Sequence, residues 1–205
     1  MKNKTMNEVA SVVKDHWPAD ISDKITNTAF ARYKQLCIEN NSVCRAKKKH
    51  YMDNIFPCIS YYESLQTNGI SKQDALNFLD KTWSKRAQKG ADSTKSMLKH
   101  FGLYKLYPAM FKFVAKNQFG EKAGFKATFY KSDKKQCKFD MTRCLFLDTC
   151  KKYGCPELTI CFCHTDDINN DNLHPDLCWN RTKYMGNGGD LCDFDIYVRK
   201  SKQDF

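Results

Sequence analysis

The spacing of the apolar residues changes near residue 120, and this change limits the possible folds more than any other feature of the chain. Before it, apolar residues recur at helical spacing, as in Val9, Val12 and Val13. That spacing is typical of helices with one buried face. After it, apolar and polar residues alternate, as they do around Phe125 and Phe129. Alternation is typical of strands with one buried side.

The first 118 residues are therefore predicted to be helical. We expect helices over residues 7–17, 23–40 and 47–66, with a kink or a split at Pro57, where proline removes a backbone donor. Ser71 has the side chain of a helix N-cap and should begin the next helix. We expect Gly90 to interrupt that helix, and a final helical region should cover residues 93–117 with breaks at Gly102 and Pro108.

Residues 119–205 are predicted to form a small antiparallel sheet with two inserted helices. The expected strands cover residues 125–131, 136–144, 177–185 and 190–199, and the inserted helices cover residues 145–153 and 156–167. In the last strand Cys192, Phe194, Ile196 and Val198 share one face, which should be buried. The predicted fold class is α+β, with an N-terminal helical layer packed on the sheet. Since no Pro/Gly/Ser-rich linker separates the two parts, we expect a single domain over residues 1–205.

The eleven cysteines indicate reduced thiols rather than a disulfide framework. Their number is odd, the chain has 205 residues, and its first residues contain no apolar core of a signal peptide. No segment approaches the about 20 apolar residues of a membrane span. We therefore expect a cytoplasmic protein with no membrane partner. Cys161, Cys163 and His164 match the usual spacing of zinc ligands poorly, so no metal and no cofactor are predicted.

The net charge of +11 does not predict nucleic-acid binding. Residues 1–130 contain 22 Lys and Arg against 11 Asp and Glu, whereas residues 131–205 contain 12 of each. The excess is spread over many helical faces, and no nucleic-acid-binding motif accompanies it. We expect a solvated surface, and we place His16, His50 and His100 on or near it, because they lie in Lys-rich helices.

The densest group of reactive side chains lies in the second inserted helix. Asp166 and Asp167 follow Cys163 by three and four residues, so on a helix all three can share one face. Thiols and carboxylates can supply nucleophiles and proton carriers. His174 or Arg181 could compensate the carboxylate charge beside the thiol. The structural alternative is that Asp166 and Asp167 only solvate the end of a helix.

The segment from Cys144 to Phe194 resembles the L-2-amino-thiazoline-4-carboxylic acid hydrolase family. The similar elements are the strand end at Cys144, Tyr153-Gly154-Cys155-Pro156-Glu157-Leu158, Phe162-Cys163, Asp166-Asp167, Leu173-His174-Pro175, Arg181-Thr182 and Gly188-Gly189-Asp190-Leu191-Cys192-Asp193-Phe194. A looser similarity begins at Tyr61-Tyr62-Glu63-Ser64-Leu65 and continues through Gly69, Ile70, Ser71 and Ala75.

The resemblance implies a hydrolase that acts on the C–N bonds of cyclic amidines. It would open a small carboxylated ring such as 2-amino-thiazoline-4-carboxylate to an N-carbamoyl amino acid, a step of the kind used in cysteine biosynthesis. The predicted partner is thus a small-molecule substrate.

The roles that this chemistry needs can be assigned to the similar positions. Cys163 would be the nucleophile or would orient the attacking water, and Asp166 or Asp167 would be the general base. His174 would donate a proton, and Arg181 would hold the substrate carboxylate.

Glu157 and Cys192 are two further candidates for substrate binding. Glu157 could instead be a helix-start residue, and Cys192 could instead be a core residue.

The alternative function is a non-catalytic small-ligand or metal-binding sensor module. In that case the chain would be similar to the vinyl-reductase-type binding domains.

Overall fold

The protein has an α+β fold, as the sequence predicts. A computed structural model describes residues 3–199. Its eight α-helices are α1 (Lys4–His16), α2 (Ala19–Glu39), α3 (Arg45–His50), α4 (Phe56–Thr67), α5 (Lys72–Leu98), α6 (Tyr107–Gln118), α7 (Leu145–Lys152) and α8 (Thr159–Asn170). Its four strands are β1 (Lys126–Phe129), β2 (Gln136–Arg143), β3 (Leu177–Asn180) and β4 (Cys192–Val198).

The four strands form one antiparallel sheet in the order β1-β2-β4-β3. Phe139 of β2 lies opposite Phe129 on one side and Phe194 on the other. It stacks on both rings, with 4.7 Å between the ring centroids in each pair. Such cross-strand aromatic pairs stabilise the sheet beyond the area that they bury. In β4, Cys192, Phe194 and Ile196 are buried and Val198 is half-buried, so the predicted alternation is confirmed from Cys192 to Ile196.

The core joins the helical layer to the sheet. One cluster of buried side chains extends from Met6 in α1 to Ile196 in β4. Within the layer, α1 and α4 pack on α2, and α5 packs on α8. Since α8 comes from the sheet part of the sequence, this last contact joins the predicted reactive segment to the helical layer.

The predicted interruption at Gly90 is wrong, because α5 continues through this residue to Leu98. Glycine costs a helix only about 1 kcal/mol, and tertiary packing easily exceeds that amount. A Cβ atom at Gly90 would lie 3.3 Å from Oδ1 of Asn169 in α8. Glycine therefore allows α5 and α8 to approach closely at this point.

The predicted strand over residues 177–185 is too long, because β3 ends at Asn180. The next amides leave the ladder: Thr182 and Lys183 donate their backbone N–H groups to Oδ1 of Asp193, at 2.8 and 2.6 Å. The chain then forms a 3₁₀ turn over Met185–Asn187. The strand end at Asn180 matters for the site, because Arg181 is the next residue.

Of the kink or split expected at Pro57, the structure shows a split, which lies just before this residue. Five π-helical residues, Tyr51–Ile55, separate α3 from α4, and Pro57 lies in the first turn of α4. Proline is tolerated there because the amides of the first turn have no partner within the helix. None of the helices between residues 3 and 199 is both long and apolar enough to cross a membrane.

Replacing Ser71 with alanine tests the start of α5. The Ser71 hydroxyl accepts a hydrogen bond from the Asp74 amide at 3.1 Å, which is an N-cap contact. We expect Ser71→Ala to lower the free energy of unfolding by about 1 kcal/mol in urea denaturation. The control is Ser96→Ala, at an exposed position within α5, which should not lower it. An equal loss in both variants would contradict the capping role.

Candidate active site

One face of α8 forms a wall of a cavity of about 350 Å³. The residues of this face are spaced at helical intervals: Thr159, Phe162, Cys163, Asp166, Asn169 and Asn170. Small-molecule sites typically have volumes of about 300–1,000 Å³. The cavity is therefore large enough for a small ligand, and α8 presents a thiol and a carboxylate to it.

The other walls are mainly aromatic. The aromatic lining comes from the helices, the sheet and the segment before β1, and consists of Trp83, Phe111, Phe119, Phe125, Phe139, Phe146, Phe162, Trp179 and Phe194. Between these rings lie a few polar groups, including Asn54 in the π-helical segment and Arg86 in α5. Apolar walls with a small number of polar groups are typical of ligand-binding sites.

Arg181 holds the cavity-facing side of α8 in place. Its Nη1 donates to Oδ2 of Asp166 at 2.9 Å, and its Nη2 donates to Oδ2 of Asp167 at 2.9 Å. Nη2 also donates to the backbone oxygen of Cys163 at 2.6 Å. The side chain of Arg181 is only 1% exposed. One guanidinium thus binds both carboxylates and the backbone beside the thiol.

Aromatic residues complete the surroundings of Asp167 and Arg181. Asp167 accepts hydrogen bonds from the indole N–H of Trp179 at 2.9 Å and from the hydroxyl of Tyr184 at 3.1 Å. The Arg181 guanidinium lies 4.2 Å from the ring centroid of Tyr184, within cation–π distance. Both carboxylate oxygens of Asp167 therefore accept hydrogen bonds, and Asp167 does not line the cavity.

Asp166 is the carboxylate that can exchange protons near neutral pH. Burial raises the pKa of Asp166 to about 6, although the positive charge of Arg181 opposes this shift and the charge of Asp167 adds to it. The accessible part of its side chain belongs to the wall of a largely apolar cavity. A carboxyl group with a pKa near 6 can both accept and donate a proton at physiological pH.

The cavity thiols are protonated at neutral pH. Burial, and next the charge of Asp166, raise the pKa of Cys163 far above its usual range, and Arg181 offsets only part of this. Burial also raises the pKa of Cys144 to about 12 and raises that of Cys192. Since the thiolate is the reactive form of cysteine, the surroundings of Cys163 favour a neutral hydrogen-bonding thiol over a nucleophile.

A match to a protein-family model decides the family. The model for L-2-amino-thiazoline-4-carboxylic acid hydrolase matches residues 48–196, which is more than half of the chain. The chain belongs to the L-2-amino-thiazoline-4-carboxylic acid hydrolase family. The matched range includes α4, α5, α8, the strands β1 to β3 and most of β4, and hence all the residues that line the cavity.

The solved structures that are similar to this chain share little sequence with it. The Fe(II) unliganded H-NOX protein from K. algicida shows 10% identity and a TM-score of 0.41, with 98% of each chain covered. The SO2144 H-NOX domain from Shewanella oneidensis, in its Fe(II)CO ligation state, shows 11% identity and a TM-score of 0.41, with 98% of this chain and 100% of that chain covered. Likeness at this level says nothing about ligands or activity. No curated protein sequence matches the chain.

The structure brings three of the predicted site residues to the cavity of this hydrolase-family member. Cys163, Asp166 and Cys192 line it. Cys163 and Cys161 lie on the same helix, but Cys161 is fully buried and is not part of the cavity wall. Arg181 and Asp167 lie directly behind the wall, bound to Asp166 or to each other.

His174 and Glu157 lie away from the cavity. The ring of His174 stacks on Tyr104, with 4.0 Å between the ring centroids, and its Nδ1 accepts the Asp176 amide at 3.1 Å. Glu157 accepts a hydrogen bond from the hydroxyl of Tyr62 at 2.5 Å and pairs with Lys72 at 2.8 Å. Its contacts join α4 and α5 to the turn before α8. Neither side chain is among the residues that line the cavity.

The cavity wall contains side chains that the sequence did not predict for the site, among them His50 and Arg86. His50, expected on or near the surface, is buried, and its Nε2 lies 2.9 Å from the backbone oxygen of Gln118. That expectation is wrong, because α3 turns toward Phe125 and α6 rather than toward solvent. Arg86 also lines the cavity, but it stands among the lysines of α5 and gives no signal in the sequence. Within residues 3–199, no three His, Cys, Asp or Glu side chains are grouped so as to hold a metal ion.

Removing the Arg181 guanidinium should strongly destabilise the protein. Arg181→Gln leaves two partly exposed carboxylates without their cationic partner, and the loss of hydrogen bonds to a charged group costs about 1.5–3 kcal/mol. The control is Arg143→Gln, because Arg143 pairs with Asp148 at an exposed site, and such pairs contribute below about 1 kcal/mol. Urea denaturation of both variants measures the difference. Similar small losses would show that Arg181 does not hold the site together.

Proposed function

We propose that the protein is a cofactor-independent hydrolase that opens a small carboxylated cyclic amidine, such as 2-amino-thiazoline-4-carboxylate, to an N-carbamoyl amino acid. The observation that carries the proposal is the position of Asp166, a carboxyl group with a pKa of about 6 in the wall of a mainly aromatic cavity. Membership in the hydrolase family supports the same substrate class.

The reaction adds one water molecule and breaks the ring. Asp166 takes a proton from water as the water oxygen bonds to the ring carbon between nitrogen and sulfur, and this proton is passed to the ring nitrogen. The carbon then carries a hydroxyl, the amino group, nitrogen and sulfur. As the carbonyl forms, the carbon–sulfur bond breaks, and the hydroxyl proton passes through Asp166 to the leaving sulfur. An N-carbamoyl product therefore requires C–S cleavage after addition to the C=N bond.

The proposal gives Cys163 and Asp167 supporting roles. A protonated Cys163 thiol can hydrogen-bond to the attacking water, which is the second of the two roles expected from the sequence. Asp167 is a positioning residue, because its oxygens are bound to Trp179, Tyr184 and Arg181. The proposed mechanism does not use His174 or Glu157, which lie outside the cavity wall.

A binding module remains the alternative, and the protonated cavity thiols favour it over a thiol-based enzyme. In that case the same cavity would hold the ring without opening it. The two functions differ in one product, since only hydrolysis creates a new small-molecule thiol.

Release of this thiol tests the proposed reaction. The protein should convert 2-amino-thiazoline-4-carboxylate to a product that carries one thiol, detectable with a thiol reagent after the protein has been removed by filtration. Because the base must be ionised, kcat/KM should fall about tenfold per pH unit below about pH 6 and stay level above it. Absence of release at high protein concentration would exclude this substrate, and binding without release would favour the binding module.

Variants at Asp166 and Cys163 separate the two possible mechanisms. Asp166→Asn should lower turnover by about 10²–10⁴-fold, which is typical for loss of a general base. Cys163→Ser should keep most of the activity, because a hydroxyl can also orient water. The matched controls are Asp171→Asn, just after α8, and Cys144→Ser, another thiol of the cavity wall. A covalent adduct on Cys163 in mass spectrometry, together with an inactive Cys163→Ser, would instead establish a nucleophilic thiol.

A further inference from the structure

Arg86 provides the cationic group of the cavity wall. It is the one Lys or Arg among the described residues that line the cavity. It projects from α5 one turn after Trp83, and its guanidinium lies 5.5 Å from the centroid of the Trp83 ring. Burial lowers the pKa of Arg86, an effect that the charge of Glu8 opposes. A carboxylated ligand in this cavity would therefore meet a poorly solvated guanidinium.

Part of this guanidinium has no partner in the protein. Its Nε pairs with Oε2 of Glu8 at 3.1 Å, and its Nη2 donates to the hydroxyl of Thr5 at 2.9 Å. Nη1 is buried and makes no hydrogen bond within residues 3–199, and the same is true of Nε1 of Trp83. Buried donors are rarely left unpaired, because each costs about 1–3 kcal/mol. The two donors belong to side chains on neighbouring turns of α5, and a carboxylate has two oxygens that can accept hydrogen bonds from them.

Arg181 is not available for this role. Its Nη1 and Nη2 are bound to Asp166, Asp167 and the backbone oxygen of Cys163. Its Nε also lacks a partner among the described residues, but the side chain lies behind the cavity wall and is 1% exposed.

We propose that Arg86, through Nη1 and with the indole N–H of Trp83 beside it, binds the carboxylate of the ligand in this cavity. The ligand class is a small ring that bears one carboxylate, and this inference rests on the proposed function. Glu8 and Thr5 hold the opposite edge of the guanidinium, so that Nη1 is oriented before the ligand arrives. The carboxylate then distinguishes the substrate from the same ring without it.

Binding of two rings tests the role of Arg86. The probes are 2-amino-thiazoline-4-carboxylate and 2-aminothiazoline, which lacks the carboxylate, and calorimetry is done on the full chain carrying Asp166→Asn to prevent turnover. Adding Arg86→Gln should raise the Kd of the carboxylated ring at least about tenfold, as expected for loss of a charge-assisted hydrogen bond. The Kd of 2-aminothiazoline, which lacks the carboxylate, should change less than about twofold.

Two further variants complete the test. Trp83→Phe keeps an aromatic side chain but removes the indole N–H, and it should weaken binding of the carboxylated probe more than binding of 2-aminothiazoline. This variant provides the test if Arg86→Gln does not fold. Arg32→Gln is the control, because Arg32 pairs with Glu63 outside the cavity, and it should change neither Kd. Equal weakening of both probes, or unchanged binding of the carboxylated ring, would overturn the carboxylate-binding role alone. Failure of the parent protein to bind either ring would overturn it together with the proposed substrate.

Discussion

The ion pairs between Arg181 and the two carboxylates of α8 are the interaction on which the rest of the site depends. Asp166 and Asp167 are adjacent residues, and their negative charges would repel each other in a poorly solvated site. The Arg181 guanidinium neutralises this pair through two hydrogen bonds of 2.9 Å. Its third bond, to the backbone oxygen of Cys163, ties the same side chain to the helix that carries the thiol.

The fold brings these groups together from distant parts of the chain. β3 ends at Asn180 because the following amides turn toward Asp193, and Arg181 then lies against α8. α8 itself packs on α5, where Gly90 permits a close approach, so one face of α8 borders the cavity while the adjacent side meets Arg181. As a result, Asp166 can exchange protons in the cavity, whereas Asp167 holds Arg181 in position.

Local patterns in the sequence were sufficient for the fold class and for the face of α8. Alternation predicted the buried side of β4, and helical spacing placed Cys163 and Asp166 together. Neighbouring helical residues differ in direction by about 100°, which explains why Asp167 turns away from the cavity. The partners of Arg181 could not be predicted, because they depend on how the end of β3 packs against α8. The position of Arg86 in the cavity wall could not be predicted either, because it depends on contacts with Glu8 and Thr5 of α1.

The most direct test of this account is a titration of the Asp166 carboxyl carbon by ¹³C NMR, assigned by comparison with Asp166→Asn. The account predicts a midpoint near pH 6, because burial outweighs the attraction of Arg181. A midpoint near the ordinary aspartate value of about 4 would show that Asp166 is a solvated carboxylate, and would contradict its role as the proton carrier of the site.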